Sequence, residues 1–415
     1  MECRFENEMH NRKNSLLMEV GLAACAAAAL ALYSPASKAA SPNPSPYKDW
    51  MIGPFQKADA VNPILGPEFD PQFLSPVSNK MVRWEARAIL GAAVVVKDGA
   101  LYMIYQGEDS SNGFHGMSGT VGTFREGLAE SSDGLHFQRR PEPVVYPDND
   151  AFKSAEWSGG CEIPRIVEGP DGTYYLYYSG WNRMVTRLSV ATSKDLVHWT
   201  KHGLIFSKAY AGKYRELWSK GAAVVTELHD DRLVAVKVNG RYWMYFGESG
   251  IFAATSENLI DWTPVELSAG QANPPLDVDT PTQQERGSAT RQLVRVQGPR
   301  NRFFDSNLVE GGVAVLTPKG IVHIYNASDY NSPASRTWKK RSQVYYSVGQ
   351  ALYSASDPLK LIDRSDTAFL QPDRDFEKLG CTPNVLYLTG IAWFQGKWRL
   401  YYNGADWMIG TASTK

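Results

Sequence analysis

Three stretches of the chain are variations on one another. They run Ala129-Glu130-Ser131-Ser132-Asp133-Gly134-Leu135-His136-Phe137, Ala191-Thr192-Ser193-Lys194-Asp195-Leu196-Val197-His198-Trp199 and Ala254-Thr255-Ser256-Glu257-Asn258-Leu259-Ile260-Asp261-Trp262, with leading alanines 62 and 63 residues apart. Each follows a run of aromatic and β-branched residues that starts after a tight-turn pair: Asp98-Gly99, Asp171-Gly172 and Asn239-Gly240. Such pairs between apolar runs are hairpin signals. A sequence that repeats one hairpin-rich unit buries its apolar faces by stacking each copy on the next. A degenerate fourth copy joins Lys319-Gly320-Ile321 to Ser354-Ala355-Ser356-Asp357-Pro358, and a fifth runs from Cys381 through Gln395-Gly396-Lys397-Trp398 to Ala412-Ser413. Five copies of a four-strand unit predict an all-β chain, a five-bladed β-propeller. In this reading the A-x-S-x-D/N-L turn caps each outer hairpin, and Asp133, Asp195 and Asp261 do no chemistry. The stretch 269–295, rich in Pro, Asp, Thr and Gln, breaks the rhythm without a clear strand and reads as a long loop or lid over one mouth of a central channel.

The ends and the composition narrow the function. Arg12 and Lys13 precede an apolar run from Val20 to Leu32, and Ser37-Lys38-Ala39 offers small residues where a signal peptidase reads, so residues 1–40 are expected to be a signal peptide. Thirteen apolar residues are too few to span a bilayer. A Pro/Ser linker over 41–49 and a folded domain over 50–415 follow, which makes the mature protein secreted or periplasmic with no stable membrane association expected. A net charge of -1 and the lack of a basic run argue against nucleic acid as a partner. No metal-ligand spacing occurs, so neither a metal nor another cofactor is expected. Beyond the leader only Cys161 and Cys381 remain, too far apart in sequence for their pairing to be read, and two free thiols are expected.

The most informative stretch is Gly159-Gly160-Cys161-Glu162-Ile163-Pro164-Arg165. It places a glutamate and an arginine in a strand otherwise built for burial, where unpaired charge is costly. An ion pair between Glu162 and Arg165 is the simplest reason for both.

Together with Trp84-Glu85, Trp218-Ser219-Lys220, Val309-Glu310-Gly311-Gly312, Asp357-Pro358 with Arg364, Glu377-Lys378-Leu379-Gly380 and Asn403-Gly404-Ala405-Asp406, that stretch resembles glycoside hydrolase family 130, the β-mannoside phosphorylases and hydrolases. The resemblance implies a five-bladed propeller acting on an oligosaccharide. It also shows departures. The family's E-D-P-R motif, whose Asp would be the general acid, reads Glu162-Ile163-Pro164-Arg165 here. Gln106 stands where an arginine is expected, Trp218-Ser219-Lys220-Gly221 replaces R-N-K-D, and Asn326 replaces the histidine of Y-H-G. Phosphate needs Arg, Lys or His donors, so phosphorolysis is disfavoured.

Inverting hydrolysis needs two carboxyl groups, one protonated and one ionised. The resemblance turns Glu162, Glu310 and Asp406 toward the channel, with Glu377, Asp109 and Asp305 behind them. Glu310, on a strand whose glycines let a ligand approach the backbone, is the candidate base, and a salt bridge to Lys220 or Arg165 is the competing reading. Glu162 is the second catalytic candidate against its pairing with Arg165. Asp406 is expected to bind sugar hydroxyls. Arg165, Lys220, Asp109, Asn326 and Tyr325 complete the expected substrate contacts, with Trp157 and Trp181 as further sugar platforms. Three functions stay open: a hydrolase of β-linked, mannose-containing oligosaccharides, a glycan-binding propeller that lost its acid with Ile163, and a mannoside phosphorylase.

Overall fold

The computed structural model describes residues 47–109, 122–276, 288–329 and 345–415. The expected signal peptide and most of the linker lie outside them, as does the middle of the 269–295 insert. Order begins before Trp50: Tyr47 accepts the Phe55 N–H at 2.9 Å, and Lys48 reaches Asp363 at 2.8 Å.

The turn pairs do what their chemistry dictates. Asp98-Gly99, Asn239-Gly240 and Gln395-Gly396 all take positive φ, from 51° to 77°, as two-residue turns that match strand twist require. Each folds one strand back on the next. The result is all-β, with five antiparallel groups of strands. The first comprises Ala88–Lys97, Ala100–Glu108, Phe124–Ser131 and Gln138–Arg139. The second comprises Gly160–Glu168, Tyr174–Trp181, Thr186–Ser193 and Thr200–Leu204. The third is built on Ala223–His229, Arg241–Phe246, Ile251–Ser256 and Trp262–Pro264. The fourth holds Leu308–Thr317, Gly320–Asp329, Tyr345–Tyr353 and Leu361–Arg364. The fifth holds Leu386–Phe394, Lys397–Gly404 and Met408–Ser413.

Two features depart from the sequence reading. The outer strand of the fifth group comes from the other end of the chain, Gln56–Lys57 pairing with Ser413 and Ala412. The insert returns as a strand, Arg295–Gln297, against Ile251–Ser256.

Apolar side chains fill the seams between groups. One cluster joins Val95 and Ile104 to Leu176 and Tyr178, and others link the second group to the third, the third to the fourth, the fourth to the fifth and the fifth to the first. The leading strand of every group also lines one cavity, to which Val94, Ile166, Val224, Ala314 and Ile391 each contribute. The capping serines and acids behave as expected: Asp195 accepts from the backbone of Val197 and His198, and Asp133 from that of Leu135 and His136.

Each leading strand carries one extra residue near its start. Register slips between Leu90 and Ala92, Glu162 and Arg165, Glu310 and Val313, and Leu388 and Gly390. In the third group the Lys220 carbonyl accepts the Gly247 N–H at 2.9 Å before Ala223 pairs with Tyr245, which gives the same extra residue. These β-bulges re-aim the side chains ahead of them. They also press backbone against backbone: a Cβ on Gly311 would lie 2.0 Å from the Gly221 carbonyl oxygen.

The seam between the first two groups encloses a polar group with no described partner. Glu126 is 0% exposed, and neither of its carboxylate oxygens has a hydrogen bond among the described residues. Burial, then the nearby Glu162 charge, pushes its pKa well above the usual carboxylate value. Phe124 pairs in parallel with Gly160, so Glu126 and Glu162 sit two residues along from paired positions.

Gly311→Ala is expected to destabilise the fold by roughly 1–3 kcal/mol or more through overpacking, measured by urea denaturation; unchanged stability would show that the strands have room to separate. Because folded Glu126 keeps its proton where the unfolded chain, with a value near 4.5, releases it, its contribution falls as pH rises above that value. Glu126→Gln should therefore match the parent at pH 4 and become progressively more stable than it from about pH 5 upward, and a pH-independent difference would contradict this protonation state.

Candidate active site

The bulges decide which side chains meet. Counted from the extra residue, Glu162, Lys220 and Glu310 hold equivalent places at the starts of three leading strands, while Leu90 and Leu388 hold the same place in the other two. Around the charged three the fold gathers a polar group that no single stretch of sequence contains.

Glu310 is buried at 3% exposure, and its Oε1 accepts the Tyr387 hydroxyl at 2.5 Å. Its backbone forms a bridge with Glu248, whose Oε2 accepts the Trp218 indole N–H at 2.9 Å and whose Oε1 lies 3.8 Å from the Lys220 ammonium. Burial first, and the like charge of Glu248 second, raise Glu310 to a pKa of about 7. Glu162 is half-buried, touches the Thr186 hydroxyl at 3.4 Å, and is raised by burial while Lys220 pulls the other way. Asp406, at φ +51, accepts the Asn403 side-chain amide at 2.8 Å and is also raised by burial. Lys220 is the common neighbour: its charge opposes the rise at Glu162, Glu310 and Asp406 alike. Tyr346 lies within the fields of Glu310, Glu248 and Asp406, and its phenol is raised by burial.

Arg165 does not pair with Glu162. The bulge turns its guanidinium inward, 3% exposed, onto the carbonyls of Gly312 at 3.0 Å, Gly311 at 3.1 Å and Leu388 at 3.4 Å, its own Pro164 carbonyl at 3.0 Å, and the Tyr387 hydroxyl at 3.4 Å. It is a brace between three strand groups, and through Tyr387 it steadies Glu310. The competing reading of Glu310, a salt bridge to Lys220 or Arg165, is likewise not formed.

Other expected contacts sit elsewhere. Asn326 is 0% exposed, and both ends of its amide bind the Leu388 backbone, at 2.7 and 2.9 Å. Tyr325 is 0% exposed and donates to Asp305 at 2.8 Å, which Arg300 and Arg364 also hold. Full burial with satisfied polar atoms leaves neither residue for a sugar. Asp109 is 1% exposed and ion-paired with Arg125 at 2.5 Å. Glu377 accepts the N–H groups of Asp373 and Arg374 beside Lys57, a structural task. Trp181 is partly covered by Arg183, 4.9 Å from its ring, and Trp157 by Lys153 at 4.1 Å.

Sequence reasoning missed Glu248, Tyr387 and Tyr346, and marked Trp218 only as a departure from the family's motif. Glu248 follows Tyr245-Phe246-Gly247 after an ordinary strand, and only the bridge to Glu310 marks it out. Among the described residues Cys161 and Cys381 form no disulfide, and Cys161 is buried. Among the described residues no group of three or more His, Cys, Asp or Glu is arranged to hold a metal ion, and no helix is long and apolar enough to cross a membrane.

With this geometry in place, comparison with known proteins is direct. A family model for glycoside hydrolase family 130, described as beta-1,4-mannooligosaccharide phosphorylase, matches residues 66–276 and 292–415. The chain is 28% identical over 333 residues to a 1,2-beta-oligomannan phosphorylase of Thermoanaerobacter sp. (strain X514), covering 79% of this chain and 90% of that protein. It is 25% identical over 354 residues to a beta-1,2-mannobiose phosphorylase of the same organism, covering 82% and 93%. Among solved structures, one reported under the description that the family of mannoside phosphorylases contains glycoside hydrolases targeting beta-1,2 mannosidic linkages in Candida mannan is 37% identical, with a TM-score of 0.78 over 88% of this chain and 95% of that one. A putative glycoside hydrolase from Parabacteroides distasonis is 39% identical, with a TM-score of 0.77 over 88% and 97%. A match across nearly all of the folded residues places this chain in glycoside hydrolase family 130.

Proposed function

We propose that this protein is a five-bladed β-propeller glycosidase that cleaves β-linked, mannose-containing oligosaccharides with water in place of phosphate. The propeller reading is supported by five stacked strand groups whose apolar seams run from the first to the fifth and back to the first. The hydrolytic reading rests on the adjoining carboxylates Glu310 and Glu248. Together with Glu162 and Asp406 they surround Lys220, and such a concentration of acid opposes a phosphate dianion while it suits activation of a neutral water. Neither Glu310 nor Glu162 is locked to an arginine or lysine among the described residues, which favours a working site over a glycan-binding relic. The neighbour at 37% identity, whose description names hydrolases of beta-1,2 mannosidic linkages, makes a β-1,2-mannoside the first substrate to try.

Each group has a role in this reading. Glu310, held by Tyr387 and poised near neutrality, takes the proton from the attacking water, and Glu248 keeps that site electronegative. Glu162, whose carboxyl burial shifts toward its protonated form, is the group assigned to donate to the leaving-group oxygen. Asp406 accepts from sugar hydroxyls. Ile163 removes the acid expected beside Glu162 and leaves an apolar wall. Export belongs to the same proposal and rests on the leader-like residues 1–40.

Purified protein incubated with β-1,2- and β-1,4-manno-oligosaccharides should release free mannose at the same rate with and without phosphate. Glu310→Gln and Glu248→Gln should each lower kcat by about 10²–10⁴-fold. Formation of a sugar phosphate that requires phosphate would establish a phosphorylase, and saturable binding without turnover would establish a lectin-like protein. Since the base must be ionised, kcat/KM should climb as pH rises through about 7. Removing the neighbouring charge lowers Glu310's pKa, so the remaining activity of Glu248→Gln should show that limb at lower pH; an unmoved limb would remove Glu248 from the site's electrostatics. Mass spectrometry of exported protein should find the mature N-terminus near residue 41, and an intact Met1 in the exported protein would contradict signal cleavage.

A further inference from the structure

We propose that Gln106 is the positioning residue for Glu162 and acts through the backbone of Ile163. The leading strands of the first three groups carry a residue of positive φ at the extra position: Gly91 at 55°, Ile163 at 56° and Gly221 at 64°. Glycine occupies that conformation freely. A β-branched side chain does not, and it persists there only where surrounding contacts over-determine it.

Two contacts, both from the first strand group, grip this segment of the second. The Gln106 side-chain oxygen accepts the Ile163 N–H at 2.7 Å from within Ala100–Glu108, where Gln106 is 3% exposed. Gly91 makes room for the following proline: a Cβ at Gly91 would lie 2.6 Å from Pro164 Cδ and 3.7 Å from the Gln106 Cβ. Gln106 pairs across the sheet with Leu90 on one side and with the buried Glu126 on the other, so its own position is fixed by two strands. The second group therefore takes its bulge conformation from the first. Glu162 is the residue immediately before the bulge, and its direction follows from the torsion of Ile163. Without the Gln106 acceptor, residue 163 loses the hydrogen bond that offsets its unfavourable torsion and relaxes toward the extended region, turning Glu162 away from Thr186 and Lys220.

This inference rests on the reading of Glu162 as proton donor, and a double-mutant cycle separates the two. Parent, Gln106→Leu, Ile163→Gly and the double variant are compared by thermal midpoint and by the pH profile of kcat and KM on a β-1,2-manno-oligosaccharide. Gln106→Leu is expected to lower kcat by roughly 10²-fold, with KM changed much less and the alkaline limb of the profile displaced. In the Ile163→Gly background, where glycine holds the torsion unaided, the same leucine should cost about a third as much or less in both kcat and midpoint. Additive losses in the two backgrounds, a change confined to KM, or an unmoved alkaline limb would overturn the proposal. If Gln106→Leu fails to fold, Gln106→Met, closer in shape and likewise without the acceptor, takes its place in the cycle. Should the parent show no turnover, the midpoints still decide the backbone link: non-additive midpoints uphold the Gln106 to Ile163 coupling and reject only the hydrolytic reading, whereas additive midpoints reject the coupling itself.

Discussion

The guanidinium of Arg165 is the interaction on which the centre of this protein depends. Strand starts that approach one another around an axis leave carbonyl oxygens facing inward, and the bulge in each strand turns some of them away from the sheet ladder. An orphaned buried carbonyl is costly. Arg165 answers carbonyls of the fourth and fifth strand groups and of its own strand with one rigid, permanently charged fork. An ammonium offers fewer donors, and an aliphatic side chain would take this donor away from the carbonyls of Pro164, Gly311 and Gly312. The strands that Arg165 ties together are those that carry Glu162, Glu310 and Tyr387, so the structural centre and the proposed chemistry share one brace.

The bulges link sequence to site in a second way. An unbroken strand alternates its side chains between faces, which would put Glu162 and Arg165, three apart, on opposite faces. The extra residue brings both onto the face shared by their partners Ser179 and Tyr177, with Arg165 turned onto the Gly311 and Gly312 carbonyls and Glu162 beside the Thr186 hydroxyl. The same device places Lys220 and Glu310 at matching positions of their own groups. Where glycine supplies the turn, as at Gly91 and Gly221, the conformation comes without strain. At Ile163 it carries a cost, roughly 1–2 kcal/mol for a left-handed residue, and the neighbouring strand group offsets it.

Electrostatics carries the proposed hydrolytic reading. Lys220 faces Glu162, Glu248, Glu310 and Asp406, and burial favours the protonated forms of Glu162, Glu310 and Asp406. In the proposed reading, a site with this charge disfavours a phosphate dianion and favours proton exchange with water and a sugar oxygen. Gln106 and Asn326 have become internal hydrogen-bonding groups, holding Ile163 and Leu388, and the Trp218 indole now holds Glu248.

Much of this was legible in the amino-acid order, because it depends on local chemistry. Turn pairs, the repeated capping motif and its spacing gave the strands and their grouping, since positive-φ turns and side-chain caps act within a few residues. Glu162 could be picked out because charge in an apolar strand needs a reason, and Lys220, Glu310 and Asp406 through the resemblance to the family's motifs. What the sequence could not supply depends on contacts between distant segments. Gln56–Lys57 completes a sheet with residues near 412, and nothing local marks that partner. Tyr325 and Asn326 looked like sugar contacts until packing enclosed them, and Arg165 looked like an ion-pair partner until a one-residue register slip aimed it elsewhere. Glu248 stayed hidden because its meaning comes from lying beside Glu310. Sequence by itself determined which strands form and which charges are unusual, as both follow from neighbours along the chain. The tertiary structure alone decided which of those charges face one another, because register and burial are set where separate strands meet.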